Sequence, residues 1–352
     1  MATVICLFNH KGGVSKTTTT FNLGWMIATK EKRVMLVDCD PQCNLTGMVL
    51  GYKKLEDLQA IVGNQEPKNI RDGLSPAFES RPTPIQAVEC LAVPGNDNLM
   101  LLPGHVGLAE YEVTLAIAQE LSGSVVTLRN LPGSLRHLID VTAAANNIDY
   151  VFIDLSPSLG PVNQNVLMTS DFFLVPMHPD YFSTMGIESL ATILPKWRKW
   201  AESAREYRVL IEADYPLPKL SPKFMGSIIQ RYRLQKGKVP AQAFQKWIDE
   251  LERGLRERLL PALAKADMLL PPNVYAAVGF EPEQPLLQMS DFNSLIARSQ
   301  EHQVPVFALT DEQLDQQGVV LQTTKSSMEK FRELFSQAAN RVIGIVDHAA
   351  RA

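Results

Sequence analysis

The sequence is poor in everything that could fasten a fold from outside its core. Four cysteines occur in 352 residues: Cys6, Cys39, Cys43 and Cys90. They form no C-x-x-C pair and join no Cys/His cluster at zinc spacing; Cys39 and Cys43 could share a helix face, but two thiols alone are weak evidence of a metal site. A chain this long needs no disulfide staple, and cysteine this sparse fits a reducing cytoplasm best. No apolar run approaches the roughly 18 residues of a membrane-spanning helix. The opening Met1-Ala2-Thr3-Val4-Ile5-Cys6-Leu7-Phe8 lacks the basic flank and longer apolar stretch of a secretory signal. Internal repeats and low-complexity tails are missing too. So is a strong charge of one sign: 34 Lys+Arg against 38 Asp+Glu leave a net charge of −4. That balance argues against a wholly basic nucleic-acid coat but leaves room for a local basic patch.

What remains is ordinary globular material, 45% hydrophobic and 20% charged, enough to bury a large core without staples. Short apolar runs alternate with helical patterns. The runs are Thr3–Phe8, Arg33–Val37, Asn98–Leu102, Tyr150–Ile153, Phe172–Pro176, Phe224–Ile229 and Pro305–Ala308. Runs that are apolar throughout suggest strands covered on both faces. Helices are expected over Thr17–Thr29, Gly107–Glu120, Leu135–Ala145, Met185–Tyr207, Ala241–Ala264 and Thr324–Val342. The alternation predicts an α/β fold, a doubly wound and mostly parallel sheet flanked by helices. The stretches 51–97 and 208–300 look like insertions into one domain spanning 1–352. Proline in Tyr215-Pro216-Leu217-Pro218 and Ser221-Pro222 argues against a continuous helix there.

The strongest chemical signal is a strand, a loop and a helix at the N-terminus. The run Val4–Phe8 enters Asn9-His10-Lys11-Gly12-Gly13-Val14-Ser15-Lys16-Thr17-Thr18, and a helical stretch follows. Glycines let the backbone turn with its N–H groups aimed inward. The helix N-terminus adds partial positive charge and Lys16 a full one, which together make a polyphosphate cradle. Thr17 can set its hydroxyl on Mg²⁺. The generic pattern G-x-x-x-x-G-K-[ST] nevertheless fails twice, because His10 and Ser15 stand at its two glycines. Serine disfavours positive φ, so the loop is expected to be slightly altered at Ser15. Two apolar runs end in acids: Val34–Val37 leads into Asp38-Cys39-Asp40-Pro41-Gln42-Cys43-Asn44, and Tyr150–Ile153 leads into Asp154-Leu155-Ser156-Pro157-Ser158-Leu159-Gly160. Carboxylates at strand ends beside a phosphate loop can hold Mg²⁺ through water or orient an attacking water.

The pattern K-G-G-x-x-K-[ST] resembles the deviant Walker A loop of the ParA/MinD family of P-loop ATPases, with Ser15 in place of the usual glycine. Asp38–Asn44 resembles that family's switch I, D-x-D-P-Q-x-N. Ser156-Pro157-Ser158-Leu159-Gly160 resembles its switch II, P-P-S-L-G, with Ser156 replacing the first proline. Residues 98–105, with Leu108 and Glu112 beyond them, and 171–183 extend the likeness. The resemblance implies a P-loop NTPase fold that binds ATP and Mg²⁺. It implies nucleotide binding by Lys11, Gly12, Gly13, Val14, Ser15, Lys16, Thr17 and Thr18. Lys11, Lys16 and Asp40 would be catalytic, Lys11 reaching a partner's phosphates in an ATP-bound homodimer and Asp40 positioning the hydrolytic water. Thr17, Asp38 and Asp154 would serve the metal, the aspartates through water. Gly226-Ser227-Ile228-Ile229-Gln230-Arg231 falls where relatives place an adenine-contacting strand end, without the usual Asn.

Between residues 196 and 246 lie twelve basic residues against four acidic ones, a local balance of +8. They are Lys196, Arg198, Lys199, Arg205, Arg208, Lys219, Lys223, Arg231, Arg233, Lys236, Lys238 and Lys246. Sequence-independent DNA binding needs such a cluster, because phosphate neutralisation supplies most of its affinity. By the resemblance, the dimer would bind nonspecific DNA and a ParB-like adaptor would stimulate hydrolysis, positioning DNA or another large cargo. The protein is expected in the cytoplasm, on the nucleoid where it holds DNA. A metabolic ligase or amidotransferase on the same scaffold is the alternative, since 51–97 and 208–300 could build a substrate pocket. A MinD-like membrane switch is the other. Phe331, Leu334, Phe335, Ala338 and Val342 mark one apolar helix face near the C-terminus, which favours packing on the core over a membrane.

Overall fold

The computed structural model describes residues 1–51, 68–121, 126–232, 234–235, 239–240, 242–292 and 294–351, without the side chains of 231–243. Its centre is an eight-stranded sheet, built from β1 (Thr3–Leu7), β2 (Val34–Asp38), β3 (Leu91–Ala92), β4 (Leu99–Leu102), β5 (Tyr150–Asp154), β6 (Phe172–Met177), β7 (Lys223–Tyr232) and β10 (Pro285–Ser290). A separate two-stranded ribbon pairs β8 (Leu234–Gln235) with β9 (Val239–Pro240). The sheet order is β10-β7-β6-β1-β5-β2-β4-β3, and every neighbouring pair is parallel except β3 with β4.

Strict alternation along the strands sorts the core into two layers. Val4, Cys6, Met35, Val37, Val151 and Ile153 face one apolar cluster with helices Leu108–Glu120, Leu131–Ala145, Pro161–Thr169 and Tyr181–Glu206. Ile5, Leu7, Val34, Leu36, Tyr150 and Phe152 face the other, with helices Lys16–Ala28 and Gly318–Ala349. Both sheet faces are thus covered, which is why these strands read as continuous apolar runs. A fully buried side chain such as Phe152 contributes about 1.5–3 kcal/mol.

The C-terminal helix Gly318–Ala349 buries Phe331, Phe335, Ala338, Val342 and Ile345 against the core. Among the described residues no helix is long and apolar enough to cross a membrane.

Three features differ from the sequence reading. Residues 208–300 are not an insertion throughout, because β7 and β10 complete one edge of the sheet. Pro305–Ala308 is a turn rather than a strand. Its Val306 and Phe307 are buried all the same, and the Val306 amide donates to Asn22 Oδ1 at 3.2 Å. Within 51–97, residues 52–67 lie outside the described part, and the remainder holds a helix at Ile70–Phe78 and the short edge strand β3.

Candidate phosphate-binding site

Parallel pairing brings three strand ends together. Leu7 is in register with Asp154, and Asp154 with Asp38. The loop after β1 therefore emerges beside both acids, at the carboxyl edge where doubly wound sheets bind ligands. Asn9 anchors that loop: its Nδ2 donates to the Pro176 carbonyl at 2.8 Å, and its Oδ1 accepts from the Lys11 amide at 2.9 Å. Gly13 turns the chain at φ 74° and Ser15 at φ 56°. The helix then starts at Lys16. Thr19 and Thr20 sit comfortably in its interior because their hydroxyls donate to the carbonyls of Ser15 (2.8 Å) and Lys16 (3.0 Å). The loop borders a cavity of about 320 Å³, lined by Gly13 to Thr18 with Asp40, Gln42, Met48, Pro157 and Gln300 among others.

Lys16 is 7% exposed, and its Nζ donates to the Asn9 carbonyl at 3.0 Å. Burial lowers its pKa, against the opposing charges of Asp154 and Asp40. Asp154 is completely buried, and neither of its oxygens has a well-formed hydrogen bond. Burial first, and the Asp38 charge second, hold its carboxyl well above the usual range. The Thr17 hydroxyl pulls the other way without reaching hydrogen-bond geometry. A buried carboxylate without partners is costly unless something positive meets it. Mg²⁺ would meet that need. Thr17 and Asp154 are the residues that would hold it, a hydroxyl and a carboxylate being the hard oxygen donors Mg²⁺ takes. Among the described residues no cluster of three or more His, Cys, Asp or Glu forms a metal cage.

The other expected residues have different surroundings. Asp38 spends its oxygens on the fold of switch I: Oδ2 accepts from the Thr46 amide (2.8 Å) and hydroxyl (2.7 Å), and Oδ1 from the Asp40 amide (3.2 Å). Burial pushes its pKa up to about 6. Gly104 packs so closely that a Cβ there would stand 2.9 Å from Asp38 Cγ. Asp40 is 4% exposed, and its Oδ1 accepts from the Gln42 amide at 3.0 Å. Lys11 is partly exposed, and its Nζ rests on both oxygens of Asp180 and donates to Ser183 Oγ at 3.1 Å. Gly12 and Gly13 are exposed, with Gly12 beside Pro157 of switch II.

A family model described as an AAA domain (AAA_31) matches residues 2–204. The chain belongs to the ParA/MinD family of P-loop ATPases. It is 31% identical to the sporulation initiation inhibitor protein Soj of Bacillus subtilis over 190 residues, 54% of this chain and 64% of Soj. The chain thus matches just under two thirds of that relative's length. Two solved structures share the fold over almost the whole chain. One is pNOB8 ParA bound to nonspecific DNA, with TM-score 0.57, 19% identity and 99% coverage of both chains. The other is an ATP complex of a Cyanothece McdA variant, with TM-score 0.55, 15% identity, and coverage of 95% of this chain and 96% of that one.

Three residues that the sequence reading placed within motifs without giving them a role also reach this site. Asp180 caps helix Tyr181–Glu206 by accepting from the Ser183 amide at 2.8 Å, and holds Lys11 as well. Glu112 lies beside switch II, where a Cβ on Gly160 would stand 2.7 Å from its Oε1. Burial first, and the charge of Asp40 second, raise its pKa. Gln230 reaches the phosphate loop from β7. The acid before an apolar helix was a visible capping signal for Asp180; the other two depend on sheet order.

The basic cluster is divided. Arg198 is 9% exposed and paired with Glu202 at 2.8 Å. Arg205 donates to the carbonyls of Pro218 (2.7 Å) and Met168 (3.0 Å), and Lys223 pairs with Asp267 at 2.8 Å. These three hold the fold. Lys196, Lys199, Lys219 and Lys246 are exposed. The side chains of Arg231, Arg233, Lys236 and Lys238 lie outside the described residues.

Proposed function

We propose that this chain is an Mg²⁺-dependent ATPase that dimerises on ATP, binds nonspecific DNA in that state, and positions DNA or another large cargo with an adaptor protein. One observation carries the reading. A buried lysine at a helix N-terminus lines a cavity bordered by the loop, and it interacts electrostatically with a buried carboxylate, Asp154, whose oxygens lack hydrogen bonds. That is a constellation for a polyphosphate with a divalent cation. Similarity to Soj, and to a Myxococcus xanthus protein named chromosome partitioning protein ParA at 34% identity over 188 residues, supports a partitioning role. The pNOB8 ParA complex supports DNA as the bound surface only by likeness of fold.

In the mechanism, the amides of Gly12 to Lys16 and the Lys16 ammonium hold the β- and γ-phosphates. Thr17 and Asp154 would hold Mg²⁺, which would supply positive charge to offset that of the phosphates. Asp40, kept in place by the Gln42 amide, orients the attacking water. Lys11 leaves Asp180 and reaches the partner's phosphates across the dimer. Asp38 keeps switch I folded through Thr46. An adaptor stimulates turnover, and hydrolysis returns the weakly binding monomer. Catalysis here is positioning and electrostatics rather than covalent chemistry.

The test is nucleotide binding by calorimetry, together with ATP-dependent dimerisation and DNA gel shifts. Lys16→Ala should abolish all three while the protein stays folded. ATP affinity near wild type in that variant would sink the reading.

A further inference from the structure

Gln230 is 1% exposed and sits on β7, separated from the phosphate-loop strand β1 by β6. Its Nε2 donates to the Val14 carbonyl at 2.7 Å and to Thr19 Oγ1 at 2.9 Å. Thr19 has one hydroxyl proton to give. It goes to the Ser15 carbonyl at 2.8 Å, and Gln230 Oε1 at 3.2 Å is the longer, competing acceptor. The strand end itself is steadied by a 3.1 Å contact between His178 Nδ1 and the Gln230 carbonyl.

These contacts converge on one residue. The Val14 carbonyl belongs to the peptide plane before Ser15, and the Ser15 carbonyl to the plane after it. Fixing both planes fixes the two torsions of Ser15, which sits at φ 56°, ψ 36°. Glycine visits that left-handed region without steric cost, whereas a residue with a Cβ does so only under constraint. Ser15 is where this chain departs from the family loop, and Gln230 Nε2 lies 2.7 Å from the carbonyl before it and 3.4 Å from its own.

We propose that Gln230 is a positioning residue of the phosphate loop. With Thr19 it clamps Ser15 in the left-handed conformation that aims the loop amides at phosphate, a conformation glycine would adopt unaided. The inference rests on the nucleotide reading above and deepens it. A buried amide already engaged by the loop has no free donor for a base, so Gln230 serves the phosphates and not adenine.

The test combines ATP titration calorimetry with hydrogen exchange of the nucleotide-free loop. Gln230→Leu keeps volume and removes the donors, and Thr19→Val keeps shape and removes the relay. Each should weaken ATP binding about tenfold and speed exchange of the amides at 12–16. Adding Ser15→Gly to either should restore affinity to within about threefold, since glycine needs no clamp. Two results overturn the proposal: Gln230→Leu binding as wild type, or a Ser15→Gly/Gln230→Leu double variant as weak as Gln230→Leu alone. Exchange spread over the whole sheet would mark Gln230→Leu as collapsed, and Thr19→Val with and without Ser15→Gly then decides the proposal on the same terms. If wild type binds no ATP, the nucleotide reading fails on its own. The exchange data then still decide the clamp: unchanged loop protection in Gln230→Leu refutes it.

Discussion

Lys11 Nζ lies against both carboxylate oxygens of Asp180, the capping residue of helix Tyr181–Glu206. The lysine proposed to act on a partner's nucleotide is therefore held within its own chain. On the proposed mechanism dimer formation breaks this pair, which is partly exposed and so worth at most about 1 kcal/mol. Asp180→Asn keeps an oxygen for the Ser183 amide and removes the charge. It should tighten ATP-dependent dimerisation up to about fivefold, read by sedimentation velocity. Weaker or unchanged association would mean the pair does not hold the monomer back.

Asp154 should show opposite effects on stability and function. Its raised pKa means the folded, ligand-free chain disfavours the charged carboxyl despite Lys16 nearby. Asp154→Asn removes that penalty and should stabilise the nucleotide-free protein by roughly 1–3 kcal/mol, measured by denaturant unfolding. The same variant should lose Mg²⁺-dependent turnover. A destabilised variant, or one that keeps its Mg²⁺ dependence, contradicts the role assigned to this acid.

The parts of the site that were readable are those spelled out contiguously. The loop from Asn9 to Thr18 and the strand-end acids Asp38, Asp40 and Asp154 each follow an apolar run, and the strand register then joins them. Residues that arrive from elsewhere in the sheet gave no such sign. Gln230 sits 211 positions from Thr19 in the chain, and only the order β7-β6-β1 brings them together. The fold shows the same division. The alternation of apolar runs and helices was visible, but β10 was not, because Pro285–Ser290 is a mixed run with Gln288 inside it. Pro305–Ala308 misled in the opposite sense, since four apolar residues fill a core equally well as a turn. The twelve basic residues read as one patch because composition does not show which guanidinium is already spent on a carbonyl, as that of Arg205 is.

Glu112 offers a pH signature. Its pKa is raised above 4.5 by burial, then by the charge of Asp40. An acid with a raised folded-state pKa costs nothing below the unfolded value, and stability is lost as pH rises through the folded value. Glu112→Gln should therefore melt with wild type below pH 4.5 and above it at neutral pH. Melting curves of the nucleotide-free protein check this. Parallel curves for the two proteins at every pH would show that the side chain feels no burial.

Lys196 and Lys199 lie three residues apart on one face of an exposed helix stretch, with Lys246 exposed on the helix packed beside it. Unlike Arg205, they have charge to give to a phosphate backbone. Each phosphate contact releases condensed counterions, so each lost contact should flatten the plot of log affinity against log salt by about 0.9. Lys196→Ala/Lys199→Ala should weaken ATP-dependent DNA binding equally for unrelated sequences, flatten the slope by up to about 2, and leave the melting temperature in place. Arg205→Ala should do the reverse, lowering the melting temperature because the Pro218 and Met168 carbonyls lose their donor, with the DNA slope unchanged. Fluorescence anisotropy across a salt series separates the two variants. A slope that moves in Arg205→Ala and not in the lysine pair would relocate the DNA surface away from this helix.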